Sequence, residues 1–321
     1  MYAASPSPFN IAILGTGGVG GYLGGMLAQT LGQASAAGTR VFFLARGRHL
    51  AEIQEHGLIL NTAQTQGLVC RPTLATADPG ELPLLDLAVI CVKSYDLPPL
   101  LKALQPKIGA QTVVLPLLNG VDIGERIRSV VSQGTVLRAG IYISAHVERP
   151  GVVTQEGETA KMFFGPDPAN PEFSPERILA LLGVAGITRQ WLPEPEAAIW
   201  GKFFFIAPFA LVTAFSGETV GEVAQDPELL ALVRGVMREI SALAGKHSVR
   251  FEPNFMETTL KFARSLPPGF KTSFQRDLEI PGHPNEGDLF GGTILRLGKR
   301  CGLETPLTRS LYQAIISRQF A

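Results

Sequence analysis

A glycine-rich turn between an apolar strand and a helical segment constrains the fold of this chain more than any other feature. The run FNIAIL at residues 9–14 predicts a buried strand, and GTGGVGG follows it directly at residues 15–21. Gly15, Gly17 and Gly20 fit the pattern G-x-G-x-x-G. Its first glycine permits a tight turn, its second lets the backbone approach a pyrophosphate, and its third lets helix and strand pack closely. The pattern predicts a dinucleotide-binding unit; the alternative is a turn used for packing alone.

The first half of the chain alternates apolar strands with helical segments. Three more near-continuously apolar runs, typical of strands covered on both faces, lie at 40–45, 86–92 and 112–117. A helix is predicted at 48–55, and Gly24 and Gly25 inside the first helix indicate close packing there. Shorter strands that would extend the same sheet are predicted at 135–143, 151–155 and 161–165. The rhythm predicts an α/β fold with a Rossmann-like, doubly wound parallel sheet.

The pattern changes near residue 190, and helical periodicity dominates beyond it. Asp226 and Pro227 form a cap and first-turn pair, and apolar residues then recur at i, i+3 and i+4 spacing. We therefore predict two domains. Residues 1–190 form a dinucleotide-binding domain, and residues 191–321 form an all-helical domain for substrate and catalysis.

Composition argues against several classes of function. Lys plus Arg and Asp plus Glu number 28 each, and the two signs are interspersed, which argues against a nucleic-acid or membrane-surface partner. The start, MYAASPSPFN, lacks the charged and apolar regions of a signal peptide. Three cysteines without motif spacing fit reduced thiols, and the five histidines form no zinc motif. We expect a cytoplasmic protein without a metal ion.

Residues 200–215, WGKFFFIAPFALVTAF, contain a single charged group, the ammonium of Lys202. The uncharged run that follows is shorter than the roughly 18–20 residues that span a bilayer, and it contains Pro208. We therefore predict a buried core helix with a kink at the proline. On this stretch alone, the simplest interpretation of Lys202 is a lysine that reaches solvent from the start of a helix.

The end of the second predicted strand bears on the choice of dinucleotide. An NAD site usually places an acid there to bind the ribose 2′-hydroxyl, but this chain reads LARGR, with Arg46 and Arg48. Because a guanidinium suits a 2′-phosphate, NADPH is favoured over NADH. The alternative for each arginine is a solvated surface charge.

Taken together, the motifs resemble the ketopantoate reductase family (2-dehydropantoate 2-reductases) nearly end to end. In chain order they are GTGGVGG, LARGRHL, VKSYD with Lys93, LLNGVD with Asn119, IWGKF with Lys202, KTSFQRD with Ser273, and HPNEGD with Glu286. None is specific alone, but their order is. The resemblance implies NADPH-dependent reduction of ketopantoate to pantoate, a step of pantothenate and coenzyme A biosynthesis. It implies cofactor contacts from Gly15, Gly17, Gly18, Gly20, Arg46, Lys93 and Asn119.

The resemblance also implies roles at the reacting atoms. Reduction of a 2-keto acid needs a hydride at the carbonyl carbon and a proton at its oxygen, and the ammonium of Lys202 can donate that proton. Desolvation in the apolar stretch would lower its pKa toward the working range. Glu286 would accept a substrate hydroxyl or orient Lys202. Asn119 and Ser273 would bind substrate.

Each of these residues has a structural alternative. Asn119 would be a turn asparagine beside a glycine, Ser273 a capping or loop serine, and Glu286 a first-turn acid favoured by the helix dipole. Lys93 would be a charge that terminates a strand.

The chain departs from the family at two positions. Ile206 and Ala210 stand where the family usually has asparagines, which predicts a less polar substrate wall. Another small 2-keto acid therefore stays an alternative substrate, and a non-catalytic NADPH-binding regulator is the alternative from another class. The oligomeric state stays open, with a homodimer as one candidate.

Overall fold

The computed structural model describes residues 8–33, 38–280 and 282–319, so the signal-peptide interpretation falls mostly on residues outside it. Two compact units make up the chain. The sheet unit comprises Met1–Leu118 and Ile123–Pro195, and the helical unit comprises Asn119–Asp122 and Glu196–Ala321. The four residues Asn119–Asp122 thus belong with the helices, although both of their chain neighbours belong to the sheet unit.

The sheet unit contains the strands and the first helices. Its strands are β1 (Phe9–Leu14), β2 (Thr39–Leu44), β3 (Leu58–Asn61), β4 (Leu68–Cys70), β5 (Leu74–Thr76), β6 (Leu85–Ile90), β7 (Ile108–Pro116), β8 (Thr135–Val136), β9 (Arg138–Arg149), β10 (Val152–Gly165) and β11 (Thr188–Trp191). Its helices are α1 (Gly18–Gln33), α2 (Gly47–His56), α3 (Leu97–Leu104), α4 (Ile123–Arg128) and α5 (Glu176–Val184).

Six of these strands form the predicted sheet, in the order β5-β2-β1-β6-β7-β8. Every pairing in it is parallel. The central strand β1 is buried along nearly its whole length, with Ile11, Ile13 and Leu14 fully covered. Strands buried on both faces read as continuous apolar runs, which explains why the sequence revealed them. The predicted α/β class with a Rossmann-like parallel sheet is confirmed.

The prediction that later strands extend this sheet is right for β8 and wrong for β9 and β10. Those two strands pair antiparallel with each other and, with β3, β4 and β11, form a second sheet. The turn between them is short, and Gly151 in it has φ 79°. A tight turn joins antiparallel neighbours, whereas a parallel neighbour needs a long crossover, so β9 and β10 form a hairpin.

Helix α1 packs closely against both sheets, and its glycines make this approach possible. A Cβ on Gly24 would lie 2.7 Å from Phe43 of the parallel sheet. On Gly25 it would lie 3.0 Å from Leu60, and on Gly21 2.5 Å from Val153, both in the second sheet. The close packing predicted for Gly24 and Gly25 is therefore confirmed, and the second sheet accounts for glycines that a single sheet would not require.

The helical unit is built around one apolar helix. Its helices are α6 (Glu196–Ser216), α7 (Val220–Gln225), α8 (Pro227–Lys246), α9 (Phe255–Arg264), α10 (Ser273–Leu278), α11 (Thr293–Cys301) and α12 (Pro306–Gln319), and a π-helical turn (Asp288–Gly292) precedes α11. The predicted cap of α8 is confirmed, because the Asp226 carboxylate accepts hydrogen bonds from the backbone N–H groups of Glu228 and Leu229.

Helix α6 is apolar and mostly buried, as predicted for a core helix. Length and a mean hydropathy of 1.7 alone would let it cross a membrane, but 67% of its apolar window is buried inside the protein. That burial is typical of the core helix of a soluble protein. The helix is continuous across Pro208, and the kink expected there stays a prediction.

Candidate active site

The glycine turn follows β1 in the sheet unit and opens α1. Gly15 has φ 99°, and a Cβ there would lie 2.8 Å from Val92. A Cβ on Gly20 would lie 1.9 Å from the carbonyl oxygen of Gly15, and one on Gly18 would lie 2.1 Å from that of Ala145. The fold itself therefore requires three of the four glycines.

Gly17 differs, because a Cβ there would meet nothing within 4 Å. Beside it, the buried hydroxyl of Thr16 has no hydrogen-bond partner among the described residues. Open space next to an unpartnered buried hydroxyl, at the N-terminus of a helix, fits the phosphates of a dinucleotide.

His49, which the sequence reasoning overlooked, fixes the turn. Its Nδ1 accepts a hydrogen bond from the Gly151 N–H at 3.0 Å, so its Nε2–H donates to the carbonyl oxygen of Thr16 at 2.8 Å. Burial lowers the pKa of this imidazole, which favours the neutral form that the two bonds require. The β9–β10 hairpin is thereby tied to the glycine turn. The histidine in LARGRHL was the signal for this contact.

Because the fold leaves space at Gly17, we expect Gly17→Ala to separate folding from binding. The methyl group would obstruct the close approach of a phosphate to the backbone. Loss of one charge-assisted hydrogen bond weakens binding by roughly tenfold or more. We expect an unchanged Tm and a dinucleotide Kd raised by that factor, measured by calorimetry. Gly20→Ala is the control and should lower the Tm. Wild-type affinity in Gly17→Ala would show that no ligand approaches this glycine.

Arg46 lies where the sequence placed it, at the end of β2, but it has a partner that the sequence did not reveal. Its guanidinium binds both oxygens of the Asp96 carboxylate, through Nη1–Oδ1 at 3.2 Å and a closer Nη2–Oδ2 contact. Asp96 comes from the turn after β6, in which its N–H donates to the carbonyl oxygen of Lys93 at 3.0 Å. Lys93 is half-buried, and Arg48 is exposed on α2.

Lys202 lies on α6 in the helical unit with its side chain turned inward. The residue is only 9% exposed, and its Nζ donates a hydrogen bond to Oδ1 of Asn119 at 2.8 Å. Burial lowers its pKa to about 8, and the nearby carboxylate of Glu286 partly opposes that shift. The solvent-reaching alternative is therefore wrong: this ammonium is buried, and its lowered pKa still leaves it mostly protonated at neutral pH.

Glu286 is buried at the entry to the π-helical turn. Its carbonyl oxygen accepts from the N–H groups of Leu289 at 2.9 Å and Phe290 at 3.3 Å, so the residue directly precedes a helical turn whose first-turn acid is Asp288. Its carboxylate nevertheless interacts electrostatically with the Lys202 ammonium and favours the protonated form. The structure thus brings Lys202, Asn119 and Glu286 together from three separate parts of the sequence.

A second group of polar residues, absent from the sequence prediction, holds the Asn119–Asp122 segment. The buried carboxylate of Asp122 accepts from the hydroxyl of Thr293 at 3.4 Å and lies 3.7 Å from Nη2 of Arg296. Arg296 also pairs with Asp288. Asn119 is therefore attached at one end of a segment whose other end is anchored to α11. The pairs join residues far apart in sequence, so no local pattern signalled them.

Ser273 is the first residue of α10, but it does not cap the helix. Thr272 does so, since its hydroxyl accepts from the N–H of Gln275 at 3.2 Å. The Ser273 hydroxyl makes no hydrogen bond within the described part of the chain. A 3.1 Å contact between the hydroxyls of Thr272 and Thr213 attaches the start of α10 to α6. The capping alternative is therefore wrong, and Ser273 keeps a hydroxyl available for a ligand.

The two positions that depart from the family pattern differ in exposure. Ile206 is half-buried, and Ala210 is almost completely buried. Of these two residues, Ile206 is the one whose side chain is accessible to a ligand.

Comparison with known proteins identifies the family. The family model described as ketopantoate reductase PanE/ApbA matches residues 11–169, and the model of its C-terminal domain matches residues 195–319. The chain belongs to the ketopantoate reductase family. It is thus an oxidoreductase of a family that uses a nicotinamide dinucleotide and a small keto acid.

Individual relatives cover nearly the whole chain. A 2-dehydropantoate 2-reductase of Mesorhizobium japonicum is 29% identical over 92% of this chain and 93% of its own. An uncharacterized oxidoreductase, YkpB, of Bacillus subtilis is 27% identical over 94% and 95%. The crystal structure of a family ketopantoate reductase from Ralstonia eutropha superposes with a TM-score of 0.85 at 27% identity, covering 98% of this chain and all of the other.

Proposed function

We propose that this protein reduces ketopantoate to pantoate with NADPH and that Lys202 supplies the proton. The observation that carries the proposal is the buried ammonium of Lys202, bonded to Asn119 and with its pKa lowered to about 8. A general acid works best when its pKa lies near the operating pH, and burial has moved this lysine there. We also propose that the reaction is a step of pantothenate and coenzyme A biosynthesis and that the protein is located in the cytoplasm.

Lys202 would act at the carbonyl oxygen of the substrate. The nicotinamide supplies the hydride for the carbonyl carbon when the cofactor is bound. As negative charge develops on the oxygen, the ammonium stabilises it and then donates the proton. Because the surrounding side chains of α6 are apolar, the local dielectric constant would be low, which would strengthen this electrostatic interaction.

Three further residues would orient the reacting groups. Asn119 holds the ammonium by accepting its hydrogen bond at 2.8 Å, which leaves the amide N–H₂ for the nicotinamide or the substrate. Glu286 favours the protonated form of Lys202 and offers an acceptor to a substrate hydroxyl. Ser273 would donate its unpartnered hydroxyl to the substrate carboxylate.

The sheet unit would hold the cofactor. The turn with Gly15, Gly17, Gly18 and Gly20 receives the pyrophosphate, and Lys93 follows Val92, the residue against which Gly15 packs. Arg46 at the end of β2 would bind the 2′-phosphate that distinguishes NADPH from NADH. The exposure of its side chain, 75%, leaves it accessible to a ligand.

Substrate discrimination is where we expect this protein to depart from its family. Ile206 stands one helical turn beyond Lys202 and offers apolar surface in place of an amide. We expect kcat/KM for ketopantoate to exceed that for 2-ketoisovalerate, which lacks the terminal hydroxyl, by only about tenfold or less. Ile206→Asn should shift the ratio toward ketopantoate by roughly 2–10-fold, the value of one neutral hydrogen bond.

Ile206→Leu is the matched control, because it changes shape without adding a hydrogen bond. Ala210→Asn is unsuitable for the same test, since it would bury an amide at an almost completely buried position. A wild type that already favours ketopantoate by orders of magnitude would show that other residues, such as Glu286 or Ser273, recognise the hydroxyl.

The function itself is tested by NADPH oxidation with a panel of 2-keto acids. Turnover with ketopantoate supports the proposal. Turnover only with a different 2-keto acid would support the second candidate, a reductase of another small keto acid, which the apolar Ile206 favours. Binding of NADPH without turnover on any panel member would contradict the enzyme assignment and favour a regulator.

A further inference from the structure

The fold places an acidic residue at the end of β2, where the local sequence has none. No acid stands directly after β2 in the chain, and that absence favoured NADPH. The folded protein nevertheless has an acid beside Arg46, because Asp96 reaches it from the turn after β6, 50 residues further along. Strands β2 and β6 both flank β1 in the parallel sheet, so the connections that follow them lie at the same edge.

Asp96 is the anchored partner of this pair, and Arg46 is the exposed one. The Asp96 N–H donates to the carbonyl oxygen of Lys93 at 3.0 Å, and its carbonyl oxygen accepts from the N–H of Leu100 at 3.2 Å as α3 begins. Its side chain is 24% exposed, against 75% for Arg46. The guanidinium therefore rests on a carboxylate whose position the backbone fixes.

A 2′-phosphate bound at Arg46 would have to share the guanidinium with this carboxylate. A phosphate monoester carries a charge of about −1.5 to −2 at neutral pH, so it is repelled by an adjacent carboxylate. Asp96 also engages two N–H groups of the guanidinium, which a phosphate would otherwise bind in the same bidentate manner. The uncharged 2′-hydroxyl of NADH meets no such repulsion and can donate a hydrogen bond to a carboxylate.

We propose that Asp96 is a specificity-determining residue that narrows the preference of this protein for NADPH over NADH. It competes with the 2′-phosphate for Arg46 and offers an acceptor to the 2′-hydroxyl. The proposal rests on the cofactor role of Arg46 in the proposed function. It also implies that Arg46 and Asp96 together, and not the residues after β2 alone, set the choice of cofactor.

The test is the affinity of Asp96→Asn for each cofactor, measured by isothermal titration calorimetry without substrate. Asparagine keeps the size of the side chain and removes its charge. The carboxylate makes no capping bond to α3, so no helix cap is lost. We expect the Kd of NADPH to fall by roughly tenfold and the Kd of NADH to stay constant or rise. Glu55→Gln on α2 is the control, since it removes one exposed acidic charge away from the pair.

Two results would overturn the proposal: an unchanged ratio of the two Kd values, or a loss of NADPH affinity, which would mean that Asp96 only positions Arg46. Arg46→Gln, measured in parallel, separates this failure from that of the proposed function. If Arg46→Gln weakens NADPH while Asp96→Asn changes nothing, the cofactor assignment stands and the role of Asp96 falls. If Arg46→Gln leaves both Kd values unchanged, the NADPH assignment falls, and the proposal for Asp96 falls with it.

Discussion

Replacing Lys202 with alanine is expected to lower kcat by roughly 10²–10⁴-fold, the usual range for loss of a general acid, while NADPH still binds. The reason is geometric: Lys202 is a buried cation that donates a hydrogen bond to Asn119 at 2.8 Å and whose protonated form the Glu286 carboxylate favours. Steady-state NADPH oxidation gives kcat, and calorimetry gives the cofactor Kd. A fall in kcat without a matching change in Kd is the predicted signature.

Two controls keep this prediction falsifiable. Lys202→Met fills the same volume within the apolar core of α6 and should lose activity to a similar degree, so a packing defect does not explain the loss. Lys261→Ala removes an exposed lysine from α9 in the same unit and should keep wild-type kcat. Near-normal turnover by folded Lys202→Ala or Lys202→Met would end the assignment of Lys202 as proton donor.

Arg46→Asp is expected to raise the Kd of NADPH by about 10²-fold and to change the Kd of NADH far less. A hydrogen bond between charged groups is worth about 1.5–3 kcal/mol, or roughly 10–150-fold in affinity. The new carboxylate would also stand beside Asp96 and repel the 2′-phosphate further.

Arg48→Asp provides the matched control, because it makes the same change of charge two residues away, on an exposed position of α2. It should affect the two cofactors almost equally. Equal weakening of NADPH and NADH by Arg46→Asp would contradict a role for Arg46 at the 2′-phosphate, and equal use of both cofactors by the wild type would contradict the proposed preference for NADPH.

Local sequence patterns predicted the elements that leave a recognisable signature in their own residues. The parallel strands read as continuous apolar runs because both of their faces are covered, and α8 starts at Asp226 because that side chain caps it. The hairpin of β9 and β10 was misplaced because strand pairing depends on partners elsewhere in the chain. In this case the partners include β3 and β11, which are short and partly polar.

The same limit applies to the site. The glycine turn, Lys202, Asn119 and Glu286 could be found from motifs, since each stands in a recognisable segment. Asp96 and Asp122 could not, because their roles come from partners distant in the chain: Arg46 lies 50 residues from Asp96, and Thr293 lies 171 residues from Asp122. Neither acid belongs to a local pattern that signals its partner.

The pH dependence of kcat in both reaction directions tests the central claim most directly. Burial lowers the pKa of Lys202 to about 8, and Glu286 is the charged group that opposes this shift. Reduction requires the protonated amine, so kcat for ketopantoate should be constant below about pH 8 and fall about tenfold per pH unit above it. Pantoate oxidation with NADP⁺ requires the neutral amine, so its kcat should rise through the same pKa. In Lys202→Ala, the fall in kcat for reduction and the rise in kcat for oxidation should both disappear. Values of kcat that stay constant between about pH 7 and 10 in the wild type, or a pH dependence that persists unchanged in Lys202→Ala, would contradict Lys202 as the proton donor.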